Sequence, residues 1–277
     1  MNDLSLLFSQ TFMIRAMVAG GLITLCAALL GIVLVLKRYA MIGDGLSHVG
    51  FGALAVASVM NLAPLAVAIP VVILAAFALI ALSRNTKIKG DAMVGVISSG
   101  ALAIGVMAIS MTKGMNIDIN SYMFGSIISL TKGDVVCSVI LCVCVLAVFV
   151  LLFPRLFSVT FDDAFARATG TNATLYNGVL AVLTAVTVVL GMRMMGALLI
   201  SSLIVFPALS SMRICNSRFL TVVILAAVIS LVCFFAGIIL SFFWGCPTSA
   251  TVVCMNLIVF VFSFLFGKLV NCYKKRA

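Results

Sequence analysis

The chain contains a single histidine and seven acidic residues among 277 positions. That histidine, His48, stands four positions after one of the acids, Asp44, in the stretch GDGLSHVGFGALAVA. Residues four apart in an α-helix share a face, about 6 Å apart along the axis. A carboxylate and an imidazole so placed both offer electron pairs to a cation, and together they suit a divalent transition metal such as zinc, manganese or iron. Asp44 also suits a bland role as the cap of a helix opening after Gly43, with His48 bonded to a neighbour. The apolar surroundings favour the first alternative, because ionisable groups inside a membrane span are costly and usually mark a transport path. Two donors are too few for a tight site. A symmetric pair of chains would bring two Asp44 and two His48 together, four ligands in all, a number that suits a transition metal.

The elements that must position this pair are set by the composition. The chain is 65% hydrophobic and 9% charged, with a mean hydropathy of +1.36, far from a soluble domain. Apolar runs occupy 16–36, 46–60, 62–82, 92–111, 135–153, 173–190, 194–212, 219–243 and 250–267. Most approach the roughly 20 residues that cross a bilayer as a helix. Alternating strands of a barrel are missing, and stretches such as LAVAIPVVILAAFALIAL are apolar on every side, so the backbone must satisfy itself in helices. The expectation is all-α: one membrane domain over 1–277, a bundle of about eight to nine crossings. The polar stretch 115–131 between two runs is too short to cross twice and is expected to be re-entrant or interfacial. The N-terminus MNDLSLLFSQ lacks a basic head and a cleavage site, so no cleaved signal peptide is expected.

The net charge of +10 would suggest a nucleic-acid partner in a soluble protein; here it marks topology instead. With the N-terminus outside and the C-terminus in the cytoplasm, 13 of the 17 Lys and Arg fall in inner segments, as the positive-inside tendency demands. The cysteines give no disulfide framework. Most sit in membrane runs as small hydrophobes, and Cys142 and Cys144, two apart, point to different sides of a helix.

One inner segment stands apart, PRLFSVTFDDAFARATGTN at 154–172. Asp162 and Asp163 favour a helix start, Phe161 and Phe165 make an i,i+4 pair with Arg167 close by, and Gly170 ends the helix. So short a helix needs a surface to lie on, either the protein's own base or a cytosolic partner. The energy source lies elsewhere. The chain has no phosphate-binding Gly-x-x-x-x-Gly-Lys loop, no His-Glu-x-x-His, no Gly-x-Ser-x-Gly and no glutamate at all. Asp44 is the one serious candidate for a buried carboxylate, so the residues alone suggest a passive conduit or a pore subunit driven by another protein.

Several motifs, taken in order, resemble the membrane permease subunits of ATP-binding-cassette transporters for zinc, manganese and iron. MIGDGLSHVGFGALAVA is similar to that family's Gly-Asp-x-x-Ser-His signature, DAMVGVISSGALAIGVM to its Asp-x-x-x-Gly helix start and NSYMFGSII to its Tyr-Leu-Phe-Gly segment. FDDAFARATG resembles the stretch presented to the nucleotide-binding subunit, and MRMMGALLISSLIVFPALSS the Val-Gly-x-Leu-Leu … Pro-Ala segment. The resemblance runs from about residue 37 to 255. It implies a multi-pass protein of a bacterial cell (inner) membrane, working as a homodimer with a cytosolic ATP-binding subunit and an extracytoplasmic metal-binding protein. It further implies Asp44 and His48 as metal contacts, and Phe161, Asp162, Asp163, Phe165, Arg167 and Gly170 as the ATPase-docking surface. The metal is then cargo, with no permanently bound cofactor and no enzymatic activity on this chain. A stand-alone secondary metal carrier or channel, or a permease for chelated iron or a cobalamin-like cargo, is the alternative. This chain departs from the family pattern at Gly245-Cys246, where relatives carry an acid and a threonine, and at Ser126, where an acid commonly follows Phe-Gly; Cys246 is a candidate soft replacement ligand.

Overall fold

The computed structural model describes residues 11–85, 90–111, 125, 132–215 and 218–276. The described residues form ten helices: α1 Thr11–Leu36, α2 Ala40–Val59, α3 Pro64–Asn85, α4 Gly90–Met111, α5 Lys132–Phe161, α6 Asp163–Ala168, α7 Ala173–Met195, α8 Ala197–Ile214, α9 Phe219–Trp244 and α10 Thr248–Arg276. All but α6 are long and apolar enough to cross a membrane, which makes nine candidate spans among the described residues. The expected all-helical, multi-pass architecture is what the chain adopts. Of the stretch 115–131, expected to be re-entrant, only Gly125 lies within the described residues.

The spans are not equivalent. In α1, α2 and α7, 72% of the apolar window is buried, against 22% in α4 and 28% in α3, α5 and α10. The first three are therefore the inner helices and the others the rind, whose exposed leucines, valines and phenylalanines suit contact with acyl chains. Pro70, Pro154 and Pro207 all lie inside helices (α3, α5 and α8). Each costs a backbone bond, yet the helix continues, since an unpaired break in hydrocarbon would cost more.

The α5 helix runs further than its apolar run suggests. It passes through Pro154 to Phe161, two turns beyond residue 153. A line of rings holds the extension: Phe157 lies 4.8 Å from Phe161 and 4.9 Å from Phe219, and Phe153 lies 5.5 Å from Phe219, centroid to centroid. On its other side Arg155 donates to the Tyr176 hydroxyl at 2.6 Å. Phe161 is thus the last residue of a span, not the first of the short helix, and it packs on the start of α9 although it stays exposed.

Two ends of the bundle can be told apart from contacts. Leu36, Phe161, Met212, Cys215 and Arg218 line one cavity, so α1, α5 and α8 finish, and α9 begins, at one end. At the opposite end Ser249 donates to the Met195 carbonyl at 2.7 Å. From there α8 and α10 run parallel, with Phe206 against Phe260 and the Arg213 guanidinium 5.2 Å from the Phe264 ring.

Candidate metal site and docking segment

The glycines of α2 explain how it becomes central. A Cβ added at Gly43 would strike Ile204 of α8; at Gly45, Val94 of α4; at Gly50, Met192 of α7; and at Gly52, the backbone carbonyl of Ala101 in α4. Four bare positions thus let three neighbouring helices approach closely from different directions. At 100° per residue, Asp44 and His48 project between the Gly43 direction and the Gly45 direction. Both therefore face the flank between α8 and α4.

The pair is a true neighbour pair. His48 Nε2 lies 3.7 Å from Asp44 Oδ2, with the side chains 26% and 44% exposed respectively. The separation is too long for a hydrogen bond. It is close to the span of two ligands on one metal, since bonds of about 2.1 Å at a tetrahedral angle set the donor atoms about 3.4 Å apart. The capping alternative fails. The helix begins at Ala40 with Tyr39 at the N-cap and no side-chain cap bond, so Asp44 sits inside the helix and is not at its mouth. Ser47, the serine of the signature, is fully buried and donates at 2.7 Å to the Asp44 carbonyl, so its hydroxyl serves the backbone.

Among the described residues no three His, Cys, Asp or Glu side chains gather in one place. Cys246 is exposed, with its thiol 3.6 Å from the Trp244 carbonyl in the turn between α9 and α10; the structure brings it to neither Asp44 nor His48. Ser126 lies outside the described residues. Cys142 is buried and Cys144 exposed, as two positions on opposite sides of α5 should be.

In the 154–172 segment, the short helix forms as its residues demand. Asp162 is the N-cap: its carboxylate accepts from the amides of Ala164 and Phe165, both at 2.9 Å. Arg167 sits in the last turn, complementing the helix dipole. Gly170 takes φ +82, with nothing within 4 Å of where its Cβ would lie, so the glycine answers the left-handed turn and not a tight contact. Phe165 is 62% exposed, the largest apolar side chain that α6 presents outward. Asp163 instead turns inward, to Lys37 at 3.2 Å and, more loosely, to the Asn177 amide at 3.5 Å.

Lys37 and Asn177 escaped the sequence. Lys37 reads there as one more topological charge, and Asn177 as a polar residue near a span end. The visible signal was an amide in an otherwise apolar run. The partner positions lie more than a hundred residues from Lys37 and could not be read.

The sequence pattern described as the ABC 3 transport family matches residues 9–267. The chain is 28% identical over 248 residues to the high-affinity zinc uptake system membrane protein ZnuB of Haemophilus influenzae, covering 90% of this chain and 95% of the relative. It is 23% identical over 271 residues to the manganese transport system membrane protein MntC of Halalkalibacterium halodurans, covering 96% and 92%. Its fold matches the solved structure of PsaBC from Streptococcus pneumoniae in complex with Fab with a TM-score of 0.84 at 23% identity, over 95% of this chain and 94% of that one. With nine candidate spans among the described residues and a family match across nearly its whole length, the chain belongs to the ABC 3 transport family.

Proposed function

We propose that this chain forms the translocation path of an ATP-driven importer of a divalent transition metal, zinc, manganese or iron, with Asp44 and His48 as its metal contacts in the membrane. It is a multi-pass permease subunit, and ATP is hydrolysed on a separate subunit, as the family dictates. The observation that carries the metal reading is the 3.7 Å separation of His48 Nε2 and Asp44 Oδ2 on an inner helix, close to a metal's ligand span. Two donors leave the coordination incomplete. Their open flank between α4 and α8 is where a second copy would add two more, which supports a homodimer.

Orientation follows from charge. The end that carries α6 also carries Lys37, Arg38, Arg155, Arg167, Arg213 and Arg218, which supports a cytosolic position for that end and an outer N-terminus, in a bacterial inner membrane. The 154–172 segment there is the docking element for the ATPase, with Phe165 and Arg167 outward, Asp162 and Gly170 closing the two ends of the helix, and Phe161 and Asp163 anchoring it to the bundle. The opposite face receives the metal from an extracytoplasmic binding protein. No nucleic acid takes part.

The deciding experiment is reconstitution of the purified chain in liposomes, with and without its ATPase. Metal accumulation that requires both ATP and the ATPase is expected. Accumulation by the chain alone would identify a stand-alone carrier or channel and overturn the proposal. Uptake of a chelate but not of free ions would instead point to the larger-cargo alternative.

A second outcome concerns docking. Losing an N-cap costs about 0.5–2 kcal/mol, and the six-residue α6 has few other bonds with which to absorb that. Asp162→Ala is expected to weaken ATPase binding by about tenfold, as 1.4 kcal/mol corresponds to one decade, measured by titrating the ATPase onto the detergent-purified permease. Asp162→Asn, which keeps the capping oxygen, is expected to stay within about threefold, since Asn caps as well as Asp.

A further inference from the structure

At the α6 end, three helices meet through one compact polar cluster. The Lys37 ammonium, just past the end of α1, donates to Asp163 Oδ1 at 3.2 Å and to Asn177 Oδ1 at 2.6 Å. The Asn177 amide in turn points at Asp163 Oδ2 at 3.5 Å. Lys37 is only 8% exposed at its side chain and Asn177 only 3% exposed. The cluster thus joins the first residue of α6 to the inner helix α7 and to the turn that opens α2.

The Lys37 and Asn177 side chains are buried while the Asp163 side chain is 36% exposed, so the cluster is shielded on its lysine side, unlike the surface ion pairs found on most proteins, which contribute little. A lysine ammonium removed from water needs its partners, and a buried amide left without a bond is penalised. Both groups have strong reasons to follow Asp163 wherever it goes. Lys37 is also covalently close to the metal pair. Only Arg38 and Tyr39 separate it from α2, and Asp44 lies seven positions on. The turn itself is tight: the amides of Lys37, Arg38 and Tyr39 bond to the carbonyls of Val33, Val35 and Leu34 at 2.8–3.0 Å. Arg38 holds a left-handed φ of 61° to close it. Slack in this connection is small, so a displacement of Lys37 is passed to the start of α2.

We infer that Lys37 and Asn177 are positioning residues for transport: through Asp163 they tie the movement of the docking helix to α2, and so to Asp44 and His48. This rests on the functional reading above and adds to it the route by which ATP hydrolysis reaches the metal. Asp163 here faces the permease itself, leaving Phe165 and Arg167 to meet the ATPase.

The test uses the permease reconstituted with its ATPase, reading ATP hydrolysis and uptake of zinc or manganese in the same vesicles. Lys37→Met keeps the aliphatic stem and removes the charge. It is expected to cut uptake about tenfold or more while the ATPase still binds and hydrolyses at a rate within about twofold of the unaltered complex, so that fewer ions move per ATP; couplings between sites commonly span 5–150-fold. Asn177→Ala, which leaves the ion pair in place, is expected to lower the ions moved per ATP about threefold, and it decides the question should Lys37→Met not assemble. Exchanging the charges in the double variant Lys37→Asp with Asp163→Lys is expected to recover part of the uptake lost in Lys37→Met, as coupled pairs do in double-mutant cycles. Equal losses of hydrolysis and uptake in Lys37→Met or Asn177→Ala would make the cluster a prop of the fold and overturn the inference, as would unchanged transport in both. Unaltered permease that shows no ATP-driven uptake at all would overturn the functional reading and this inference with it.

Discussion

Metal uptake is expected to fall by about 100-fold or more in Asp44→Asn and in His48→Ala, with the protein still folded and the ATPase still bound. Each side chain supplies one of only two donors that the described residues of a chain bring together. Loss of an outer partner that merely orients a metal ligand already costs 10–100-fold in affinity or activity, so loss of the ligand itself should cost at least as much. Both side chains face the open flank between α4 and α8 and are part-exposed, so their replacement opens no cavity in the packed interior. Circular dichroism and ATPase co-purification should therefore be unchanged. Uptake of radiolabelled zinc or manganese at several concentrations separates weaker binding from slower passage. Ser47→Ala is the informative companion, because its hydroxyl bonds to the backbone carbonyl of Asp44. It is expected to lower uptake by no more than about tenfold, as a single neutral hydrogen bond contributes about 0.5–1.5 kcal/mol and about 1.4 kcal/mol is one decade. A His48→Ala permease that transports at the original rate would remove the metal from this face of α2 altogether.

The second large effect is structural. Gly52 of α2 and Gly105 of α4 pack against each other: a Cβ on Gly52 would sit 2.5 Å from the Ala101 carbonyl oxygen, and one on Gly105 would sit 2.9 Å from the Gly52 Cα. Backbone cannot rotate aside as a side chain can, so the helices would have to separate. Overpacking of this kind costs about 1–3 kcal/mol and sometimes more, and valine is larger than the methyl that already clashes. Gly52→Val is expected to lower the thermal midpoint of the purified protein by about 5–10 °C, taking 2–4 °C per kcal/mol for a chain of this size. Gly100→Val on the partner helix α4 is the control. Nothing lies within 4 Å of its Cβ position, so its midpoint should move by no more than about 2 °C, since surface substitutions usually stay within 0.5 kcal/mol. Equal losses in the two variants would mean that α4 is not seated against α2 as described.

How much of this was legible in the residues depends on range. Spans were legible because bilayer thickness sets their length and hydrocarbon forbids unpaired backbone. Their ends were less so. Asp44 interrupts the apolar pattern without interrupting the helix, which starts at Ala40, six residues before the apolar run at 46–60. The extension of α5 past Pro154 depends on Phe219, brought from the far side of a long stretch of sequence, and so had no local sign. The short helix α6 was the opposite case. Asp162, Arg167 and Gly170 act within a few residues of one another, and cap, last turn and terminating glycine fall where their chemistry places them. The i,i+4 pair of Asp44 and His48 was equally local. Lys37 was not, for its acceptors come from α6 and α7.

The turn at Lys37–Tyr39 leaves α1 and α2 as a V with little mutual contact along its arms. Asp44 and His48 then ride on an arm that leaves this tight turn at Tyr39, about 7.5 Å and 13.5 Å from it at 1.5 Å per residue. Tilting that arm by about 10° sweeps the His48 backbone through about 2 Å, roughly ten times the ±0.2 Å within which metal–ligand bonds are held. On the metal role proposed for this pair, a rocking motion too slight to part the bundle would be enough to open the fingers on an ion held between this helix and anything opposite it.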